Sequence, residues 1–191
     1  MRPCRVNSEW HLRCAARVLR AGGIVAHATE GVWGLACDPA CAVAVARLLQ
    51  VKKRPVHKGL IVIGACVEVF LPELAQLNSV ERAAVRASWP GAVTWLLPSE
   101  RFAYWVTGGR DRVAVRVPGH RQARALSRIF GGPLVSTSAN LSGRPAARSS
   151  LMARRGIRLG VDYFLPGEVV ANSGPSEIRT VSGQRLREAR E

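Results

Sequence analysis

Short apolar runs alternate with amphipathic stretches along almost the whole chain, and this alternation limits the fold more than any other feature. Runs such as Ile24 to Ala28, Leu60 to Gly64, Ala92 to Leu97 and Val113 to Val117 are too short for buried helices and are bounded by turn residues. They read as strands. Between them lie segments with helical spacing, so the chain is predicted to be an α/β layered domain. A first helix runs from Ser8, its expected cap, to about Arg20, with Trp10, Cys14 and Val18 on one face and Gly22 ending it. A second helix starts at Asp38-Pro39 and continues to about Val51, with proline at a permitted first-turn position. Residues 66–88 read as two helical pieces, with Ser79 capping the second. Residues 120–130 form a basic helix, Pro133 to Ser136 a strand, and Ser149 or Ser150 caps a helix to about Ile157. Tyr163 to Leu165 and Glu177 to Val181 complete the strands.

The 191 residues fit one domain, read as 1–191 with a core from about 8 to 188. Hydrophobic residues make up 48%, enough to build a core, and no internal repeat or low-complexity linker interrupts them. The charge balance is lopsided: 28 basic against 13 acidic residues, a net +15. Such self-repulsion is easiest to carry where the partner is a polyanion. No uncharged stretch is long enough for a membrane span, and the first residues lack an apolar signal core. The five cysteines, at 4, 14, 37, 41 and 66, show neither CxxC nor zinc spacing. Free thiols in the cytoplasm are expected.

Several chemistries are excluded. There is no GxxxxGK[ST], no GxGxxG, no HExxH and no GxSxG. Only three aspartates occur (Asp38, Asp111, Asp162), a supply from which a two-metal carboxylate cluster would be hard to build. The histidines at 11, 27, 57 and 120 have no ligand-like spacing, so no metal site is expected. Phosphate chemistry here would rest on side-chain cations.

Four segments carry candidate chemistry. Lys52-Lys53-Arg54-Pro55-Val56-His57-Lys58-Gly59 holds every lysine of the chain plus an arginine, in a loop stiffened by Pro55 and freed by Gly59. It could converge cations on a phosphate chain, and a solvated basic loop fits the same residues. Ser136-Thr137-Ser138-Ala139-Asn140-Leu141-Ser142-Gly143 places five hydroxyl or amide side chains after a strand, suited to directed hydrogen bonds or to turn capping. Arg116 sits in a strand on the face opposite Val113, Val115 and Val117. If that face is covered, its guanidinium requires an anionic or multi-acceptor partner. Thr29, Glu30, Ser176 and Arg187 are weaker candidates.

In order along the chain, HATEGVWGLACDP, KKRPVHKGLIVI, SWPGAVTW, VAVRVP, PLVSTSANLSG and GPSEIR resemble the YrdC-like family, the threonylcarbamoyl-AMP synthases. The resemblance implies a twisted, mixed parallel and antiparallel sheet flanked by helices, with a basic concave face. It implies a cytoplasmic enzyme that joins L-threonine, bicarbonate or CO2, and ATP, releasing pyrophosphate, with Mg2+ carried on the ATP. Partner proteins then move the threonylcarbamoyl group to tRNA, beside the anticodon. By motif position, Lys52 and Arg54 would hold the ATP phosphates, and Ser138 and Asn140 would stand between nucleotide and threonine. Those four are the expected catalytic set. Arg148 and Arg187 would contact nucleotide. Thr29, Lys58, Arg116, Ser138 and Ser176 would surround threonine, with Lys58 and Arg116 facing its carboxylate. Two other readings remain: a non-catalytic module binding tRNA or double-stranded RNA on a basic face, and a carbamoyl-phosphate-using transferase.

Overall fold

The computed structural model describes residues 8–157, 159–170 and 176–187. Its helices are α1 (Ser8–Arg20), α2 (Ala42–Lys52), α3 (Leu71–Ala75), α4 (Ser79–Ala87), α5 (Tyr104–Thr107), α6 (Arg121–Phe130) and α7 (Ser150–Ile157). The strands are β1 (Val25–Ala28), β2 (Trp33–Cys37), β3 (Ile61–Ile63), β4 (Val93–Pro98), β5 (Arg112–Arg116), β6 (Leu134–Ser138), β7 (Tyr163–Phe164), β8 (Glu177–Thr180) and β9 (Arg185–Arg187). They join one mixed sheet in the order β7-β1-β2-β6-β3-β5-β4-β8-β9. β1/β7, β3/β5 and β4/β8 pair in parallel, and the other neighbours antiparallel.

Strand register divides the residues into two faces. On one face Ala26, Leu35, Val62, Val113, Val115, Val135 and Leu97 meet α2, α3, α4, α5 and α7 in the larger core. The other face carries Val25, Ala36, Leu134 and Ile63 toward one end, where α1 and α6 cover them with Leu12, Ala15, Leu19, Ala123 and Leu126. The same face continues through His27, Gly34, Ser136, Ser138, Ile61 and Arg116. The helix pair does not fill that stretch, which is where a cavity opens.

Several local expectations need correction. α1 buries Leu12, Ala15, Ala16 and Leu19, while Trp10 is exposed and Cys14 and Val18 are only half-buried. The stripe through Leu12 and Leu19 wins because it presents the apolar side chains that fit under the sheet. Ser8 is the first described helical residue, and its side chain lies outside the described residues. α2 starts at Ala42, because the Asp38 carboxylate accepts from the Ala40 N–H (2.8 Å) and holds a separate turn. α4 is capped by Asn78 in a reciprocal box with Glu81, and Ser79 is its first helical residue. Of the two caps expected for α7, Ser149 is the one used, its hydroxyl accepting from the Met152 N–H (3.2 Å). β6 runs on to Ser138, so Thr137 and Ser138 belong to the strand rather than following it. Strand β2 was not anticipated: it is buried throughout and shows no alternation of polar and apolar residues.

Candidate active site

The cavity lies on the half-covered face, an open hollow of about 890 Å3, mouth included. Its wall includes Thr29, Glu30, Gly34, Arg54, Ile61, Ile63, Arg116, Pro118, Ser136, Thr137, Ser138 and Ser176. Strand alternation accounts for the floor: Gly34, Ser136, Ser138 and Ile61 point to one side because they share register. Gly34 keeps the floor low. A Cβ there would meet His27 Nε2 at 3.2 Å and the Thr137 carbonyl at 3.3 Å.

His27 is fully buried beneath this floor. Its Nδ1 lies 3.1 Å from the Ala28 carbonyl, which can only accept, so Nδ1 carries the proton. Nε2 then accepts from the Ser136 hydroxyl at 3.3 Å. Burial pushes the imidazole down to about 4, with a smaller push in the same direction from His120. His27 is therefore a neutral support for Ser136.

The lysine-rich segment divides its residues between separate places. α2 buries Ala44, Val45, Leu48 and Lys52, a helical stripe that turns Lys52 inward. Only 2% of Lys52 is exposed. Its ammonium donates to the Ser138 carbonyl, the Asn140 carbonyl (2.9 Å) and Asn140 Oδ1 (3.2 Å). All three of its donors are engaged. Burial, with Arg54 nearby, pushes its pKa down to about 8. Lys52 thus ties the end of α2 to the end of β6 from behind the cavity wall and is not among the lining residues.

Arg54 reaches the cavity. Its Nε and Nη2 donate to the Gly59 carbonyl at 3.2 and 2.9 Å, and Nη2 also to the Lys58 carbonyl at 3.3 Å. Burial lowers its pKa. Gly59 makes this turn feasible: its φ is +62°, and a Cβ would sit 3.1 Å from the Thr107 carbonyl. Lys58, in the 3-10 turn Val56–Lys58, is exposed and does not line the cavity.

Arg116 is 8% exposed. The covered face demanded a partner, and the partner is Glu30, whose Oε1 accepts from Arg116 Nη2. Arg116 Nε donates to the Gly91 carbonyl (2.7 Å), and the Gly119 N–H donates to the same Glu30 oxygen (2.6 Å). Burial lowers the guanidinium pKa, while Glu30 opposes that shift. Nothing in the sequence paired these residues, which lie 86 positions apart.

Thr29 donates its hydroxyl to the Val32 carbonyl (2.6 Å), which leaves the oxygen able to accept. Ser138 donates to Asn140 Oδ1 (2.6 Å), and Asn140 Nδ2 donates to the Arg144 carbonyl. Asn140 braces the loop after β6 and does not line the cavity. Ser176 is buried at the wall, its Oγ 2.8 Å from Thr94 Oγ1. Arg148 is exposed and outside the lining. The Arg187 side chain lies outside the described residues. Of the residues expected from sequence, the cavity therefore collects Thr29, Arg54, Arg116, Ser138 and Ser176. Glu30, Ser136 and Thr137, which the sequence singled out without assigning them a role, join them.

The sequence model of the Sua5/yciO/yrdC family, described as telomere recombination, matches residues 17–191. A threonylcarbamoyl-AMP synthase of Nitrosococcus oceani is 46% identical over 181 residues, covering 94% of this chain and 98% of its own. One of Halorhodospira halophila is 49% identical over 171 residues, covering 89% and 90%. The structure of P. abyssi Sua5 complexed with L-threonine superposes with a TM-score of 0.87 at 31% identity, covering 95% of this chain. This chain spans 54% of that longer protein. E. coli YciO, at 20% identity and a TM-score of 0.81, shares the fold.

Proposed function

This chain belongs to the Sua5/yciO/yrdC family, and on that premise we propose that it is a threonylcarbamoyl-AMP synthase. It joins L-threonine, bicarbonate or CO2, and ATP into threonylcarbamoyl-AMP, releasing pyrophosphate. The observation that carries this reading is a single cavity in which two half-buried or buried arginines, Arg54 and Arg116, face a row of hydroxyls. The synthase name of relatives alike over nearly their full length supports it. A purely RNA-binding role is not favoured.

The reaction brings together a carbamate, a carboxylate and a triphosphate, all negative. The protein's task is to offset their repulsion and align them. Arg116 receives the threonine carboxylate, and Thr29, Ser138 and Ser176 complete the amino-acid pocket. Arg54 meets the triphosphate. The deprotonated threonine amine adds to CO2, giving a carbamate. A carbamate oxygen attacks the α-phosphorus in line, and the bond to pyrophosphate breaks. Lys52 and Asn140 hold the end of β6, so that Ser138 stands between the two substrates. Among the described residues Glu30 is the sole lining carboxylate, and Arg116 engages it. Mg2+ arriving with ATP would be held mainly by phosphates and water.

On the same reading, residues 1–191 form one domain, the enzyme works in the cytoplasm, and partner proteins pass the group to tRNA. The net charge of +15 supports a basic surface for that RNA. No described helix is long and apolar enough to cross a membrane. The test is mass spectrometry of a mixture of purified protein, ATP, L-threonine and bicarbonate. A threonine-dependent adenylate carrying one extra carbonyl is expected. Unreacted ATP, or AMP without the adduct, refutes the reading.

A further inference from the structure

Glu30 is a carboxylate at the cavity wall for which the reaction outlined above has no use. Its Oε1 accepts from both Arg116 Nη2 and the Gly119 N–H. A Cβ on Gly119 would stand 3.3 Å from that oxygen, so the residue without a side chain lets the carboxylate close on the backbone. Glu30 Oε2 is sealed from solvent with no partner among the described residues. On the other side of the pair, Arg116 Nε is fixed by the Gly91 carbonyl. Two of the three guanidinium nitrogens are spent on protein, and no described residue bonds to Nη1.

We infer that Glu30 is a positioning residue for the amino-acid substrate: it locks the Arg116 guanidinium so that the unspent Nη1 edge is presented to the substrate carboxylate. The claim rests on the proposed reading of Arg116 as the carboxylate receptor. Glu30 acts on threonine through Arg116, and the nucleotide half of the cavity does not depend on it.

Glu30→Gln keeps the shape and the Oε1 acceptor while removing the charge that holds the guanidinium. Threonine affinity by calorimetry and the threonine KM in pyrophosphate release are expected to weaken at least about tenfold, which corresponds to about 1.4 kcal/mol. The ATP KM is expected to stay within about twofold. In an Arg116→Gln background, Glu30→Gln is expected to add less than about twofold, since its partner is already gone. Unchanged threonine affinity, equal weakening toward threonine and ATP, or a full additional effect in the Arg116→Gln background would each overturn the inference. If Glu30→Gln does not fold, Glu30→Asp keeps the charge on a shorter stem and is expected to weaken threonine binding severalfold. No change there overturns the claim equally. A wild-type protein that binds threonine but releases no pyrophosphate leaves the binding comparison decisive, and only the activity reading falls. One that binds no threonine sinks both.

Discussion

Replacing Lys52 by methionine removes a buried ammonium and keeps an unbranched stem. Two effects compete at this position. Burial and the neighbouring Arg54 disfavour the charge and push the pKa down to about 8, against about 10.4 in an unfolded chain. Three oxygen acceptors from Ser138 and Asn140 favour it. With burial dominant, the folded protein releases its proton near pH 8 while the unfolded chain keeps it to about 10.4. In that window the unfolded state binds more protons, so the Lys52 contribution to stability rises with pH. At 1.36 kcal/mol per pH unit, the step from pH 7.5 to 9.5 is worth about 2 kcal/mol. For a chain of this size that is roughly 4–8 °C in Tm. The assay is the thermal midpoint of wild type and Lys52→Met at both pH values. The wild type is expected to gain on the variant by that amount as pH rises. A difference that stays flat would refute the reasoning, because it would mean that the three acceptors hold the proton well past pH 9.5.

Other expectations follow from the same geometry. Arg54→Ala should lower pyrophosphate release at least about tenfold, since a lost charge-assisted bond costs roughly 1.5–3 kcal/mol; steady-state kinetics at saturating threonine checks this. His27 is held neutral down to about pH 4, whereas an unfolded histidine protonates near 6.5. Its depressed pKa makes stability fall as pH drops from about 6.5 to 4, by about 3 kcal/mol, and His27→Gln should flatten that limb in urea titrations. Gly34→Ala should at least halve threonine affinity measured by calorimetry. Its new methyl must push aside His27 or the Thr137 carbonyl under the cavity floor.

The strands flanked by turn residues, such as β1, β3 and β5, could be read from composition because length and neighbours define them. Strand β2 could not. Trp33 to Cys37 are covered on both faces, so the alternating signal that marks a half-buried strand is absent. The Ser-Thr-Ser segment was legible as chemistry, but not as the end of a strand, because hydroxyl residues also favour turns. The direction of Lys52 was recoverable in principle, since Ala44, Val45, Leu48 and Lys52 share one helical stripe. Its three acceptors come from a distant loop and were not. The Arg116 strand pattern demanded an anionic partner, yet only the folded sheet identifies it as Glu30 rather than a ligand. Pairings over such separations depend on topology, which local pattern does not encode.

The central claim is that one arginine-walled cavity forces three mutually repelling reactants together. Pyrophosphate release by purified protein, with ATP, L-threonine and bicarbonate omitted one at a time and no RNA present, tests it most directly. Release that requires all three, and falls when either Arg54 or Arg116 is replaced by alanine, is the expected result. Release that persists without threonine or bicarbonate, or that is indifferent to both arginines, would contradict it.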